Sequence, residues 1–219
     1  MRVNGRLQQD PEYRVVLTRD RLEVDGQHAR ARRHVYLMLN KPRGLVTTAR
    51  DEKGRATVFR CLEGLSLPHV SPVGRLDQAS EGLLLFTNDT AWAARLSEPA
   101  NQVIKTYHVQ VDCLADDKLL RQLEQGHAAD GEWLRVGRAR LLRQGTKNSW
   151  LELTLDEGKN RHLRRLLAAY DVAVLRLLRV AIGSLPLGTL GKGMTRPLTP
   201  KEVQMLAGAD RQRGPKEVG

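Results

Sequence analysis

Aromatic side chains are scarce in this chain. Phe, Trp and Tyr make up 4% of its 219 residues, so a hydrophobic core must be built mainly from Leu, Val and Ala. Cysteine is scarcer still. Cys61 and Cys113 stand far apart and outside any CxxC spacing, which excludes a disulfide framework and a cysteine-based zinc site and points to the reducing cytosol. Both are read as small buried hydrophobes. No apolar run approaches the ~20 residues that span a bilayer, and no charged-then-apolar signal opens the chain. What the chain does have is positive charge: 36 Lys and Arg against 25 Asp and Glu, a net charge of +11 and a pI near 10.2. A balance this basic implies a polyanionic partner, nucleic acid first and a membrane surface as the weaker candidate. A hydrophobic content of 41% suffices for one sizeable domain and a small appendage.

The first thirty residues read as that appendage. Val3-Asn4-Gly5-Arg6 and Asp25-Gly26 are tight-turn signals, and Tyr13 to Leu17 and Arg21 to Val24 read as short strands. Residues 27–34 are polar and basic and suit a linker able to touch phosphate. The main domain, residues 31–207, opens on an apolar strand, Val35 to Leu39, stopped by Asn40-Lys41-Pro42-Arg43-Gly44. A polar loop covers 49–55. Val73 to Gln78 is short and polar, and Gly82 to Thr87 reads as a buried strand. Thr90 to Leu96 reads as a helix capped by Asn88, Asp89 or Thr90. Ile104 to Val111 alternates, with Tyr107, Val109 and Val111 on one face. Asp116 to Gln125 reads as an amphipathic helix ended by Gly126. Leu151, Leu153 and Leu155 mark a half-buried strand. A helix is expected from Lys159 to Tyr170, then a strand from Val172 to Ile182. Residues 208–219 read as a disordered tail. Strands outnumber helices and alternate with them irregularly, which argues an α+β fold with a largely antiparallel sheet.

Gly74-Arg75-Leu76-Asp77 places a carboxylate two residues after a cation, in a loop anchored by a buried strand. That is where rigid placement of a catalytic group is wanted. From spacing alone, a surface turn with a local ion pair is the plainer reading. Glu81, four residues on, could form an acid–base pair with Asp77, but a strand start would aim the two apart. Tyr107 is either a core tyrosine or a cleft residue stacking on a base. Lys159-Asn160-Arg161-His162-Leu163-Arg164-Arg165 is the densest basic run, and a helix start there would make an anion site. His162 has no partner at metal-ligand spacing. Gly191-Lys192-Gly193-Met194-Thr195 lacks the spacing of a phosphate loop and reads as an ordinary loop.

In order, these pieces resemble the RsuA-type family of ribosomal RNA pseudouridine synthases over roughly residues 35–200. The match is carried by Leu39-Asn40-Lys41-Pro42-Arg43-Gly44, by the unbroken run from Gly74 to Asp89, by Lys105-Thr106-Tyr107-His108-Val109, by Glu157 to Arg165, and by Leu177 to Gly183. The resemblance implies the pseudouridine synthase fold, two sheet-based halves around a cleft. It implies Asp77 as the catalytic aspartate, Tyr107 as the pocket tyrosine and Arg164 as the basic partner of the aspartate. Leu163 matches the aliphatic residue that packs against the base, and Arg75, Arg161, Lys41 and Arg179 are assigned to substrate contact. Ser80 stands where the family usually has threonine, Thr90 where it has glycine and His162 where it has glutamine. None of these removes a catalytic group. Residues 1–26 resemble the second half of a small RNA-binding module shared with a small-subunit ribosomal protein, without its two leading helices, so residues 1–30 are expected to be a partial recruitment module.

The reaction implied is an isomerisation of uridine in ribosomal RNA, with the large subunit weakly favoured. It needs no external electron or group donor, so neither cofactor nor metal is expected. A monomeric cytoplasmic enzyme is the expectation. Two other classes are weighed against it. A catalytically silent RNA-binding or assembly factor on the same fold is disfavoured by the intact Asp77, Tyr107 and Arg164 set. A glycoside hydrolase using Asp77 and Glu81 is disfavoured by the charge and by the scarcity of sugar-stacking aromatics.

Overall fold

The computed structural model describes residues 1–10, 12–16, 19–28 and 33–208. The centre of the basic linker, 29–32, and the expected tail from 209 onward lie outside them. The chain divides into two compact units, Met1–His34 and Val35–Gly219.

The first unit holds β1 (Arg2–Val3), β2 (Arg6–Leu7), β3 (Leu22–Val24) and β4 (Gln27–His28), in the sheet order β2-β1-β3-β4. Its two hairpins turn at Asn4-Gly5 and Asp25-Gly26, all four residues having positive φ. Such turns match the twist of the strands they join. Residues 13–16, expected as a strand, are irregular. Asp20 ties that segment back: one carboxylate oxygen accepts from the Val16 amide at 2.8 Å and the other from the Asn4 side chain at 3.1 Å. The Val16 amide is thus bonded to a side chain and not to a neighbouring strand.

The second unit carries β5 (Tyr36–Lys41), β6 (Ser71–Val73), β7 (Glu81–Thr87), α1 (Thr90–Ser97), β8 (Lys105–Val111), α2 (Asp117–Gln125), the hairpin β9 (His127–Ala129) and β10 (Glu132–Leu134), then β11 (Arg138–Gln144), β12 (Ser149–Leu155), α3 (His162–Ala168), β13 (Val174–Ile182), β14 (Leu185–Pro186), β15 (Thr195–Pro197) and α4 (Pro200–Ala207). One nine-stranded sheet runs β11-β12-β8-β13-β7-β5-β15, with β14 on β13 and β6 on β7. Every pairing is antiparallel except β7 with β13.

That sheet has two kinds of strand. All seven residues of β7 are buried, and its side chains alternate between two cores. Leu84 and Phe86 join a cluster with Tyr107, Leu153, Leu163 and Leu166, while Leu83 and Leu85 join Met38, Trp92, Ile182 and Leu206. Each fully buried leucine contributes about 1.5–3 kcal/mol. The strands β8 and β12 instead bury alternate residues, so one face meets the core and the other faces solvent.

The helices start where side chains can cap them. Asp89 accepts from the Trp92 amide at 3.0 Å and Asp116 from the Leu119 amide at 2.8 Å. Helix α3 begins at His162 rather than Lys159, because Arg161 has a left-handed backbone (φ 47°, ψ 32°). It is three residues shorter at its start than the sequence suggests, and the His162 amide already donates to the Lys159 carbonyl at 3.3 Å. The expected anion site at a helix start on Lys159 is therefore not formed. Helix α4 is absent from the sequence-based expectation, although Thr199-Pro200-Lys201-Glu202 forms a complete capping box with Pro at the first helical position.

Candidate active site

A cavity of about 530 Å³ opens in the second unit, lined from the Asp77 loop, β8, the α3 approach and β13. Cavities of this size suit a ligand of nucleoside dimensions. Asp77, Tyr107, Arg164, Arg75, Leu163, Arg161 and Arg179 all line it. Residues separated by about a hundred positions in the chain thus share one space.

The loop carrying Asp77 is held on both sides. Thr47 Oγ1 donates to the Leu76 carbonyl at 2.7 Å and accepts from the Leu76 amide at 3.3 Å. The Gly44 amide donates to the Gln78 carbonyl at 2.8 Å, and Gln78 Nε2 donates back to the Gly44 carbonyl at 3.1 Å. The Ser80 amide closes the turn on the Asp77 carbonyl at 3.0 Å. Leu76 is 5% exposed and packs in the core. The backbone is therefore fixed while the Asp77 carboxylate is left to the cavity. No ion pair between Arg75 and Asp77 forms within 4.0 Å among the described residues, so the plain surface-turn reading does not hold.

Lys41 does not line the cavity. It is wholly buried, and its Nζ donates to the carbonyl oxygens of Pro42 (3.1 Å), Asp77 (3.1 Å) and Ser80 (2.8 Å). All three donors of the ammonium are engaged, so the expected substrate contact is replaced by a clamp beneath the Asp77 loop. Burial lowers its pKa to about 8 from the ordinary 10.5, against the opposing pull of Asp77, Cys61 and Glu81. Between those two pH values the unfolded chain binds the proton that the folded chain gives up, so this group makes stability rise with pH. The full change is on the order of 3 kcal/mol. Lys41→Met removes the titration. The stability of wild type relative to the variant, from urea unfolding at pH 8 and pH 10.5, is expected to increase across that interval. A constant difference would show that burial does not lower the Lys41 pKa.

Arg164 reaches from α3 towards Asp77 without pairing to it. Its guanidinium donates to the carbonyls of Val174 and Ala79, both at 3.3 Å, and Nε is buried without a partner. No Asp77–Arg164 ion pair forms within 4.0 Å. Burial lowers the Arg164 pKa, as do Arg161 and Arg43, and the Asp77 charge opposes them. The interaction is thus electrostatic at a distance rather than the direct partnership expected.

The rest of the basic run is divided. Arg165 pairs with Asp130 (2.7 Å) and Glu132 (2.6 Å), and Lys159 with Glu157 (3.0 Å). His162 is 3% exposed and its Nε2 lies 2.8 Å from the Arg135 carbonyl; burial lowers its pKa. It supports the loop before β11 rather than facing RNA from the surface. Arg161 is exposed and lines the cavity.

Glu81 is excluded as an acid–base partner. It is 2% exposed, held by Arg176 at 3.1 Å and Lys192 at 2.7 Å, and does not line the cavity. Burial alone would raise its pKa, but the two cations outweigh it and the net shift is downward. Lys105, absent from the expected site, does line the cavity. The signal for it is spacing: two residues before Tyr107 in a strand, it must share that residue's face.

Among the described residues no group of three or more His, Cys, Asp and Glu could hold a metal ion, and no helix is long and apolar enough to cross a membrane. A family model described as RNA pseudouridylate synthase matches residues 35–169, which include Asp77, Tyr107 and Arg164. The chain is 36% identical over 208 residues to ribosomal large subunit pseudouridine synthase B of Bacillus subtilis, covering 94% of this chain and 84% of that one. The protein of the same name in Haemophilus influenzae is 36% identical over 181 residues, 80% of this chain and 50% of its own. A crystal structure of a pseudouridylate synthase superposes with a TM-score of 0.71 at 27% identity, over 94% of this chain and 87% of that one. The aspartate on its clamped loop, the tyrosine from β8 and the leucine and arginine from α3 all fall within the matched residues, and the chain belongs to the RNA pseudouridylate synthase family.

Proposed function

We propose that this protein isomerises uridine to pseudouridine in large-subunit ribosomal RNA, with Asp77 as the essential carboxylate. The observation that carries the reading is the convergence of Asp77, Tyr107, Leu163 and Arg164 on one cavity. The target nucleotide leaves its stack to enter. Tyr107, 9% exposed, stacks on the base, and Leu163 packs against it from α3. Asp77 then either attacks the ribose or takes a ribose proton, and both routes need it ionised. Arg164 keeps a positive potential over the carboxylate in a poorly hydrated space, where charge interactions are strong. Arg75, Arg161 and Arg179 contact the substrate. The enzyme works in this reading as a cytoplasmic monomer, with residues 1–30 as a partial recruitment module. Carbodiimide labelling and primer extension on ribosomal RNA, from cells with and without the protein, test it. One stop in large-subunit RNA that vanishes with the protein is the expected result, and an unchanged pattern refutes it.

The net charge of +11 implies steep salt dependence of RNA binding, since each phosphate contact adds roughly 0.7–0.9 to the slope of log affinity against log salt. Arg161→Met is expected to lower that slope by about one such contact and to leave the single-turnover rate at saturating enzyme nearly unchanged. Arg164→Met is expected to do the reverse, because its guanidinium braces the Ala79 and Val174 carbonyls beside the carboxylate. Filter-binding titrations over a salt series, paired with single-turnover rates, separate the two. Identical effects would remove the distinction between a phosphate-binding and a site-organising arginine.

A further inference from the structure

Lys105 and Arg179, at the cavity wall, form no ion pair among the described residues. Lys105 shares a face of β8 with Tyr107, and Arg179 in β13 is the register partner of Tyr107. Both line the cavity. Arg179 is 5% exposed. Its Nε donates to the Leu83 carbonyl at 2.7 Å, and its Nη2 is buried with no hydrogen-bond partner. The Lys105 ammonium makes no hydrogen bond or ion pair among the described residues. Burial lowers its pKa and Arg179 lowers it further, with Asp156 opposing. Neighbouring cations, one with an unmet buried donor, are an unfavourable arrangement by themselves. An incoming anion would reverse that.

The reaction proposed above, on which this inference rests, generates such an anion. The N1–C1′ bond breaks with its electron pair on N1. If an Asp77 oxygen bonds to C1′, the carboxylate becomes a neutral ester; if it takes the C2′ proton, it becomes a neutral acid. Either way the single negative charge passes from Asp77 to the detached uracil. C5 then bonds to C1′. The ester oxygen leaves with its pair, or the acid returns its proton to C2′, and Asp77 regains its charge. Loss of the C5 proton and gain of one at N1 complete the isomer. A half turn about the N3–C6 axis exchanges N1 with C5 and also O2 with O4, so fixed donors meet a carbonyl oxygen before and after the turn.

We infer that Lys105 and Arg179 hold the detached uracil as its anion, donating to its carbonyl oxygens while it turns. They act where charge develops, and removing one such group from other enzymes slows them roughly 10²–10³-fold.

The test compares large-subunit ribosomal RNA transcribed with uridine or with 5-fluorouridine. C-linked nucleoside per transcript is counted by mass spectrometry of nuclease digests, in single turnover at saturating enzyme. Fluorine stabilises the detached base as an anion, so it needs the cations less; it also stays on C5, leaving a C-linked fluorinated product. Lys105→Met and Lys105→Gln, checked for unchanged melting, are expected to slow the uridine transcript roughly 10²–10³-fold. The same variants should slow the fluorinated transcript at least about tenfold less, with RNA affinity unchanged. Arg179→Gln is expected to show the same difference. Equal slowing of both transcripts overturns the inference, because a purely structural role does not sense the leaving base. Lost affinity and a lower salt slope, with an unchanged single-turnover rate, overturn it in favour of a phosphate contact. A wild-type protein that converts neither transcript overturns the functional reading and this inference with it.

Discussion

Asp77→Asn is expected to abolish pseudouridine formation, lowering the single-turnover rate by at least roughly 10⁴, the scale seen when a reacting carboxylate or nucleophile is removed elsewhere. The amide has nearly the same shape but can neither attack C1′ nor take a C2′ proton. The loop should survive the change, because the bonds that hold it end on backbone atoms. Lys41 Nζ and the Ser80 amide both donate to the Asp77 carbonyl oxygen, and Thr47 and Gly44 hold its neighbours. No ion pair is lost either, so the melting temperature should stay close to that of wild type. RNA affinity should be unchanged or slightly tighter, since a negative charge leaves a cavity lined by Arg75, Arg161, Arg164 and Arg179. Tritium release from C5-labelled uridine in ribosomal RNA measures the rate, and filter binding the affinity. A variant that turns over near the wild-type rate would remove Asp77 from the mechanism.

The loop shows which features the sequence made legible and which it did not. Asp77, Tyr107 and Arg164 were found because they lie in runs resembling a known family, and Tyr107 also by the period-two pattern of its strand. The buried strand β7 was legible from its unbroken apolar run, and the starts of α1 and α2 from their aspartate caps. The role of Lys41 was not. A lysine after Leu39-Asn40 reads as a surface cation, and only the fold brings the Pro42, Asp77 and Ser80 carbonyls around it. Lys159 and Arg165 mislead in the same way. Their partners Glu157, Asp130 and Glu132 include two residues from the β9–β10 hairpin about thirty positions away. Strand β11 was missed because its exposed side of the sheet carries Arg138, Arg140 and Arg143, which hide its alternation. The parallel join of β7 to β13 leaves no local trace except a glycine.

That glycine supplies the largest expected effect on stability. Gly82 has a φ of +102° and lies opposite Arg179 in the parallel pairing. A Cβ there would overlap the Arg179 carbonyl oxygen and sit 2.8 Å from Leu178 Cδ1 and 2.9 Å from the Arg179 amide nitrogen. Two of those three atoms are backbone, so relief requires β13 to move away from β7. Overpacking of this kind costs about 1–3 kcal/mol, and a left-handed backbone with a side chain a further 1–2 kcal/mol or so. Gly82→Ala should therefore destabilise by about 2–5 kcal/mol, a large fraction of an ordinary domain's margin, and lower Tm by roughly 10 °C. Gly74→Ala is the matched control. Its φ is +71°, with nothing within 4 Å of the added carbon, so it carries the backbone term of about 1–2 kcal/mol alone. The difference in Tm between the two variants measures the steric overlap by itself. Since β13 carries Arg179 into the cavity, the Gly82 variant should also lose turnover at temperatures where it remains folded. Equal Tm losses in the two alanine variants would mean that β7 and β13 do not approach this closely.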